Sequence, residues 1–196
     1  MFLNGPAGSG KTTLALYRLL ALQENDPDAQ VAFIAHNPRL VRHAEELYMA
    51  LPTLPDEATP VDFITYQGLI AQVLDRPLGD LQAELVTQGR LADLLSRRDL
   101  TGAERQLFET EIRAVVKGMV PRREDRGQPK TIRRMLSLED YQALPARWSV
   151  VREERRAEVY RLAEQYHDDL NTDESDLQDV STEALRRLLS GNTARD

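Results

Sequence analysis

The sequence predicts an α/β fold that gives way to an all-helical second half. Three observations carry this reading. Over the first 75 residues, short apolar runs alternate with stretches of helical period. A glycine-rich turn sits between an apolar stub and an amphipathic segment near the N-terminus. After Arg76-Pro77 the strand signal disappears for about a hundred residues.

Met1 to Asn4 forms the apolar stub. Thr12 to Leu22 follows as a helix, with Leu14, Ala15, Tyr17, Leu19 and Leu22 placed around it. The cluster Asn25-Asp26-Pro27-Asp28 breaks that helix. Val31 to Ala35 is an uninterrupted apolar run, the pattern of a strand buried on both faces. Pro38 suits the first turn of the next helix, where Leu40, Val41, Ala44, Leu47 and Tyr48 share a face. A loop carrying Pro52, Pro55 and Pro60 leads to a strand at Val61 to Thr65 and a helix through Leu69, Ile70, Val73 and Leu74. Strands alternating with helices predict parallel pairing with right-handed crossovers.

In the second half, Leu107, Phe108, Ile112, Val115, Val116 and Met119 form a helical stripe that stops at Gly118 and Pro121. Ser137 with Asp140 three residues on predicts a helix start, running to Leu144 and cut by Pro145. Val159, Leu162, Ala163, Tyr166 and Leu170 predict a long helix from about Val151, and Leu177 to Leu189 a further one. Three segments follow: residues 1–75, 76–165 as a helical insertion, and 166–196 returning towards the first.

Composition narrows the function. Cysteine is absent, which excludes disulfide frameworks, thiolate zinc sites and cysteine nucleophiles. The three histidines, His36, His43 and His167, include no pair four residues apart, so no dedicated metal site is expected. No apolar run reaches the roughly 20 residues of a membrane span, and no basic-then-apolar leader opens the chain, so a cytoplasmic protein without a membrane partner is expected. The net charge is −7, unevenly spread. Arg113, Lys117, Arg122, Arg123, Arg126, Lys130, Arg133 and Arg134 face only Glu124 and Asp125 in the same stretch. From Glu164 onward the sign reverses. The basic stretch reads either as a solvated helical surface or as a contact for a polyanion.

Gly5-Pro6-Ala7-Gly8-Ser9-Gly10-Lys11-Thr12 satisfies the phosphate-loop pattern G-x-x-x-x-G-K-[ST] at every fixed position, with Thr13 next to it. The residue types match the chemistry. Glycines let the backbone N–H groups curl closely around a polyphosphate. The N-terminal end of the following helix adds a favourable field. Lys11 is a mobile point charge for the outer phosphates, and the Thr12 hydroxyl is a hard oxygen suited to Mg²⁺. A nucleotide's polyphosphate with Mg²⁺ is therefore the expected ligand. The loop does not by itself distinguish helicases from kinases or other nucleotide hydrolases.

The order GPAGSGKTTLA, VAFIAHNPRLVRHAEELY, VDFITYQGLIAQVL resembles the opening of superfamily 1 DNA helicases of the UvrD/Rep type. The three segments are similar to helicase motifs I, Ia and Ic, the last usually T-F-H and here Thr65-Tyr66-Gln67. The stretches EIRAVVKGMV, LSLEDYQAL and EERRAEVYRLAEQYHDDL resemble the helical insertion called domain 1B. The resemblance implies a RecA-like P-loop NTPase sheet, incomplete and interrupted by the helical subdomain, acting as an ATP-dependent 3′–5′ DNA helicase. It implies Lys11 and Thr12 as catalytic residues and Asn37, Thr65 and Tyr66 as contacts to single-stranded DNA. The basic residues Arg122 to Arg134 would then meet a duplex junction or phosphate backbone. Base stacking on Tyr66 would suit a motor that must tolerate any sequence.

Two departures accompany the resemblance. No glutamine-containing adenine-reading segment precedes Gly5, and motif II, D-E-x-Q-D after a buried strand, is not found. The stretch Asp173-Glu174-Ser175-Asp176-Leu177-Gln178-Asp179 has other spacing and is expected to be a surface segment ahead of motif II. On this reading the chain is an N-terminal portion ending before motif II, with the second RecA-like domain outside it, and is not competent for hydrolysis alone. The alternative reading is a small P-loop kinase acting on a nucleotide or metabolite, with Arg122, Arg123 and Arg126 as an arginine-bearing lid.

Overall fold

A computed structural model describes Pro6 and residues 8–51, 59–85, 89–119, 135–170 and 174–190. The chain divides into two compact units, Met1–Leu69 and Ile70–Asp196.

In the first unit the order is α1 (Lys11–Asn25), β1 (Ala32–Ala35), α2 (Pro38–Met49), β2 (Asp62–Thr65) and the start of α3 (Tyr66–Leu74). The two strands pair in parallel, with Ala32 opposite Asp62 and Ala35 opposite Thr65. The parallel α/β pairing expected from the alternation is present, and the described sheet has these two strands. The stub Met1 to Asn4 lies outside the described residues.

Leu16, Leu19 and Leu20 of α1 pack with Ala44 and Tyr48 of α2 and with Val61, and Phe33 and Phe63 lie against this cluster. The Phe33 and Phe63 rings are 5.7 Å apart, and Tyr48 sits 5.5 Å from Phe63. Gln23, on the same face of α1, accepts a hydrogen bond from the Tyr48 hydroxyl and donates to the Thr59 carbonyl, so its buried amide is satisfied. Burial pushes the Tyr48 hydroxyl pKa upward.

In α1 the buried face is Leu16, Leu19, Leu20 and Gln23, whereas Leu14, Tyr17 and Leu22 are exposed. One expectation is corrected here. The strand at Val31 to Ala35 is not buried on both faces, because Ala32 and Ile34 are exposed and only alternate residues are covered. The described helices cover the Phe33 side, which leaves the side chains that alternate with it in contact with solvent.

The second unit continues α3 and adds α4 (Leu78–Glu84), α5 (Gly89–Ser96), α6 (Gly102–Glu111), a π-helical turn (Ile112–Val116), α7 (Leu138–Gln142), a 3₁₀ turn (Ala146–Trp148), α8 (Glu153–Asp168) and α9 (Leu177–Leu189). Its core joins Leu91, Leu94 and Leu95 of α5 to Phe108, Ile112, Val115 and Val116, and to Val159, Leu162, Ala163 and Tyr166 of α8. The stripe read from the sequence is thus the core face, except that Leu107 is exposed. Extended strands are absent among the described residues after Pro77; Leu85 and Ser175 form one isolated parallel bridge.

Local signals explain the helix ends. Ser137 caps α7 by accepting from the Asp140 N–H at 3.1 Å. Thr101 and Glu104 form a reciprocal capping box on α6. The α6 stripe stops at Gly118, where a Cβ would lie 2.6 Å from the Arg113 carbonyl oxygen and 2.7 Å from that of Ala114. Among the described residues, no helix is long and apolar enough to cross a membrane.

Candidate nucleotide and nucleic-acid site

Of the expected phosphate-binding residues, Gly5 and Ala7 lie outside the described residues; Pro6 and Gly8 to Thr13 are described. Gly8 and Gly10 have φ of +78° and +76°. A Cβ on either would meet nothing within 4 Å, so the need for glycine is dihedral rather than spatial. Gly10 is the N-cap of α1 and offers no side-chain cap, and the first turn holds no acidic residue. The leading N–H groups of the helix are therefore met by neither a side-chain cap nor a first-turn carboxylate, an arrangement suited to an anion.

Lys11 folds back over the loop, its Nζ donating to the Pro6 carbonyl at 2.6 Å and to Ser9 Oγ at 3.2 Å. Thr12 begins α1 beside it and is half-buried, and Thr13 is exposed. The arrangement fits a polyphosphate with Mg²⁺: Lys11 for the phosphates, the Thr12 hydroxyl for the metal.

Asn37, Thr65 and Tyr66 come together at the C-terminal ends of the two parallel strands, where ligands bind in open α/β sheets. Two of the three carry local structural duties. Asn37 Oδ1 accepts from the Arg39 N–H at 2.9 Å and caps α2. Thr65 Oγ1 accepts from the Gly68 N–H at 3.0 Å in the first turn of α3. Tyr66 opens α3 half-buried, and its ring lies 4.9 Å from that of His36 at an interplanar angle of 53°. His36 is exposed and escapes sequence reasoning; its position next to Asn37 was the available signal.

The charged stretches read otherwise. Lys117, counted among the basic residues, is buried and forms ion pairs with Asp176 at 2.7 Å and Asp179 at 2.9 Å. Asp176 and Asp179, expected on a surface segment, are 2% and 4% exposed. They serve the interior: Asp176 caps α9 by accepting from the Asp179 N–H, and both neutralise a buried ammonium. Burial, with the neighbouring Asp176 charge next, pushes the Asp179 carboxyl pKa upward. Arg113 pairs with Glu109 at 3.1 Å. Arg122, Arg123, Arg126, Lys130, Arg133 and Arg134 lie outside the described residues. Among the described residues no group of three His, Cys, Asp or Glu side chains is arranged to hold a metal ion.

Comparison with known family models and with curated proteins finds no match to this chain.

Proposed function

We propose that the chain is the ATP-binding, DNA-contacting portion of a helicase or translocase similar to the UvrD/Rep type. The observation that carries the nucleotide part is the phosphate loop, with two left-handed glycines leading into a helix whose N-terminus has no side-chain cap. The loop's backbone N–H groups and Lys11, which now donates to Pro6 and Ser9, would hold the phosphates, and the Thr12 hydroxyl would hold Mg²⁺. Mg²⁺ supplies neutralisation of charge on the phosphate oxygens. Asn37, Thr65 and Tyr66, on the strand ends that follow, hold a single strand, with Tyr66 stacking on a base. Asp176 and Asp179 are committed to Lys117, so this chain by itself binds Mg-ATP without appreciable turnover.

Calorimetry with Mg-ATP tests the reading. Saturable binding that Lys11→Ala abolishes supports it. Silence from folded protein, or binding indifferent to Lys11→Ala, overturns the nucleotide assignment. Transfer of a phosphoryl group to a nucleoside monophosphate would instead favour a small kinase.

A further inference from the structure

The helical unit holds a cleft of about 570 Å³ between α5, the residues just after it, and the C-terminal end of α8. That volume lies within the range of small-ligand sites, about 300–1,000 Å³. Three guanidinium groups line it, from Arg90, Arg97 and Arg98. Two of them are positioned by neighbours. Arg98 donates to the neutral amide oxygen of Gln165. Arg90 donates to the Asp169 carbonyl at 3.0 Å and pairs with Glu174. Arg97 is exposed and has no hydrogen-bond or ion-pair partner among the described residues.

Two carboxylates, Asp93 and Asp169, line the same cleft, and neither forms an ion pair among the described residues. Asp93 lies on the last turn of α5 and Arg97 just after its end, and the two form no ion pair with each other. Charges of both signs therefore face one space without cancelling each other. Leu94 and the buried ring of Tyr166 complete the walls.

We propose that this cleft binds a phosphate-bearing ligand whose organic part carries hydrogen-bond donors, the chemistry of a nucleoside monophosphate. Arg97 and Arg98 take the phosphate oxygens, for which the planar guanidinium fork is suited. Asp93 and Asp169 accept from the donors of the base or sugar. Both a phosphate monoester and inorganic phosphate feel the two carboxylates as repulsion, but only the nucleoside ester brings donors that offset it, so the cleft prefers the ester. The site is built from residues of the helical unit alone and does not use the phosphate loop.

The test uses the ¹⁵N-labelled full chain carrying Lys11→Ala, which silences the loop. It is titrated without magnesium with AMP, with inorganic phosphate, and with a short deoxythymidine oligonucleotide. Saturable amide shifts confined to residues 90–98 and 165–169, with AMP at least tenfold tighter than phosphate, are expected. A preference for the oligonucleotide would assign the same phosphate chemistry to a nucleic-acid backbone. Adding Arg97→Ala and Arg98→Ala should weaken binding about tenfold or more. Asp93→Asn with Asp169→Asn, which needs no loss of an arginine contact, should raise phosphate affinity towards that of AMP. Absence of shifts in the cleft at millimolar AMP overturns the proposal, as does AMP binding unchanged by both double substitutions.

Discussion

The Lys117 ammonium lies 2.9 Å from Asp179 Oδ2 across 62 residues of sequence, with both side chains shut away from solvent. Asp176 approaches the same ammonium at 2.7 Å, and the Tyr166 ring lies 5.1 Å from it. One buried cation thus ties the end of the π-helical turn to the start of α9. Removing it leaves two buried carboxylates uncompensated. Lys117→Met should destabilise the helical unit by about 3–5 kcal/mol, read by urea unfolding with far-UV circular dichroism. A loss no larger than that of an exposed lysine would refute this account.

The same cluster gives a pH signature. The Asp179 pKa is raised on folding, so the folded state holds its proton more tightly than the unfolded chain. Its contribution to stability is complete below the ordinary carboxylate range and is lost as pH rises through the raised value. Asp179→Asn should therefore stabilise relative to the parent most at neutral pH, and the advantage should shrink on acidification. Glu104 has the opposite sign. Hydrogen bonds from the Thr101 backbone and hydroxyl, and then from Arg155, hold its pKa at about 2. Its contribution is present above the ordinary glutamate value and lost as pH falls towards 2, so Glu104→Gln should remove a loss of stability seen only in acid. Stability curves from pH 2 to 8 for the two variants should diverge in these opposite directions.

Glu111, 0% exposed, accepts from the Tyr141 hydroxyl at 2.9 Å, from the Val150 N–H at 3.0 Å and from the Ser149 hydroxyl. Three donors, one on α7 and two from the α7-to-α8 connection, converge on one carboxylate. Glu111→Ala leaves the buried Tyr141 hydroxyl without its acceptor, while Ser149 keeps the Val151 carbonyl, and should cost about 1–3 kcal/mol. Glu109→Ala, on the more exposed face of the same helix, should cost well under that. Chemical denaturation of both variants checks the contrast.

Gly118→Ala should destabilise, although alanine replacing a helical glycine ordinarily gains up to about 1 kcal/mol. The Cβ would collide with two backbone carbonyl oxygens that have little room to move. Gly79→Ala in α4 meets open space and should be neutral or mildly stabilising. Thermal unfolding of the pair decides. A Gly118→Ala protein as stable as its parent would show that the helix end is looser than described.

Tyr66→Ala should weaken binding of a fluorescent oligothymidine by about 1–3 kcal/mol while leaving Mg-ATP affinity unchanged. His36→Ala should produce a smaller loss, since its ring packs against Tyr66. Anisotropy titrations measure both. Equal binding by the parent and Tyr66→Ala proteins would remove Tyr66 from any nucleic-acid contact.

Much of the local structure is legible from residue order alone, because it rests on short-range chemistry. Pro38 after Asn37 marks the start of α2, Ser137 with Asp140 marks α7, and Leu177 to Leu189 marks α9 with both ends as read. The glycine spacing of the phosphate loop is likewise a local statement, since Gly8 and Gly10 adopt the left-handed φ that their lack of Cβ permits. Which side of an element faces inward is less legible. Leu14 and Tyr17 look as apolar as Leu16 and Leu20, and only the position of α2 decides between them.

By itself, then, the order of residues determined where α2 and α7 begin, both ends of α9, that β1 and β2 run parallel around α2, and that a phosphate-loop pattern precedes α1, whereas α4 and α5 were not legible in it. Tertiary structure alone decided that Lys117, Asp176 and Asp179 belong to the interior, that His36 lies on Tyr66, and that three arginines and two aspartates line one cleft. The physical reason is range. Caps, turns and periodicity act within a few residues of chain, whereas the fate of a charge depends on which groups distant in sequence fold against it.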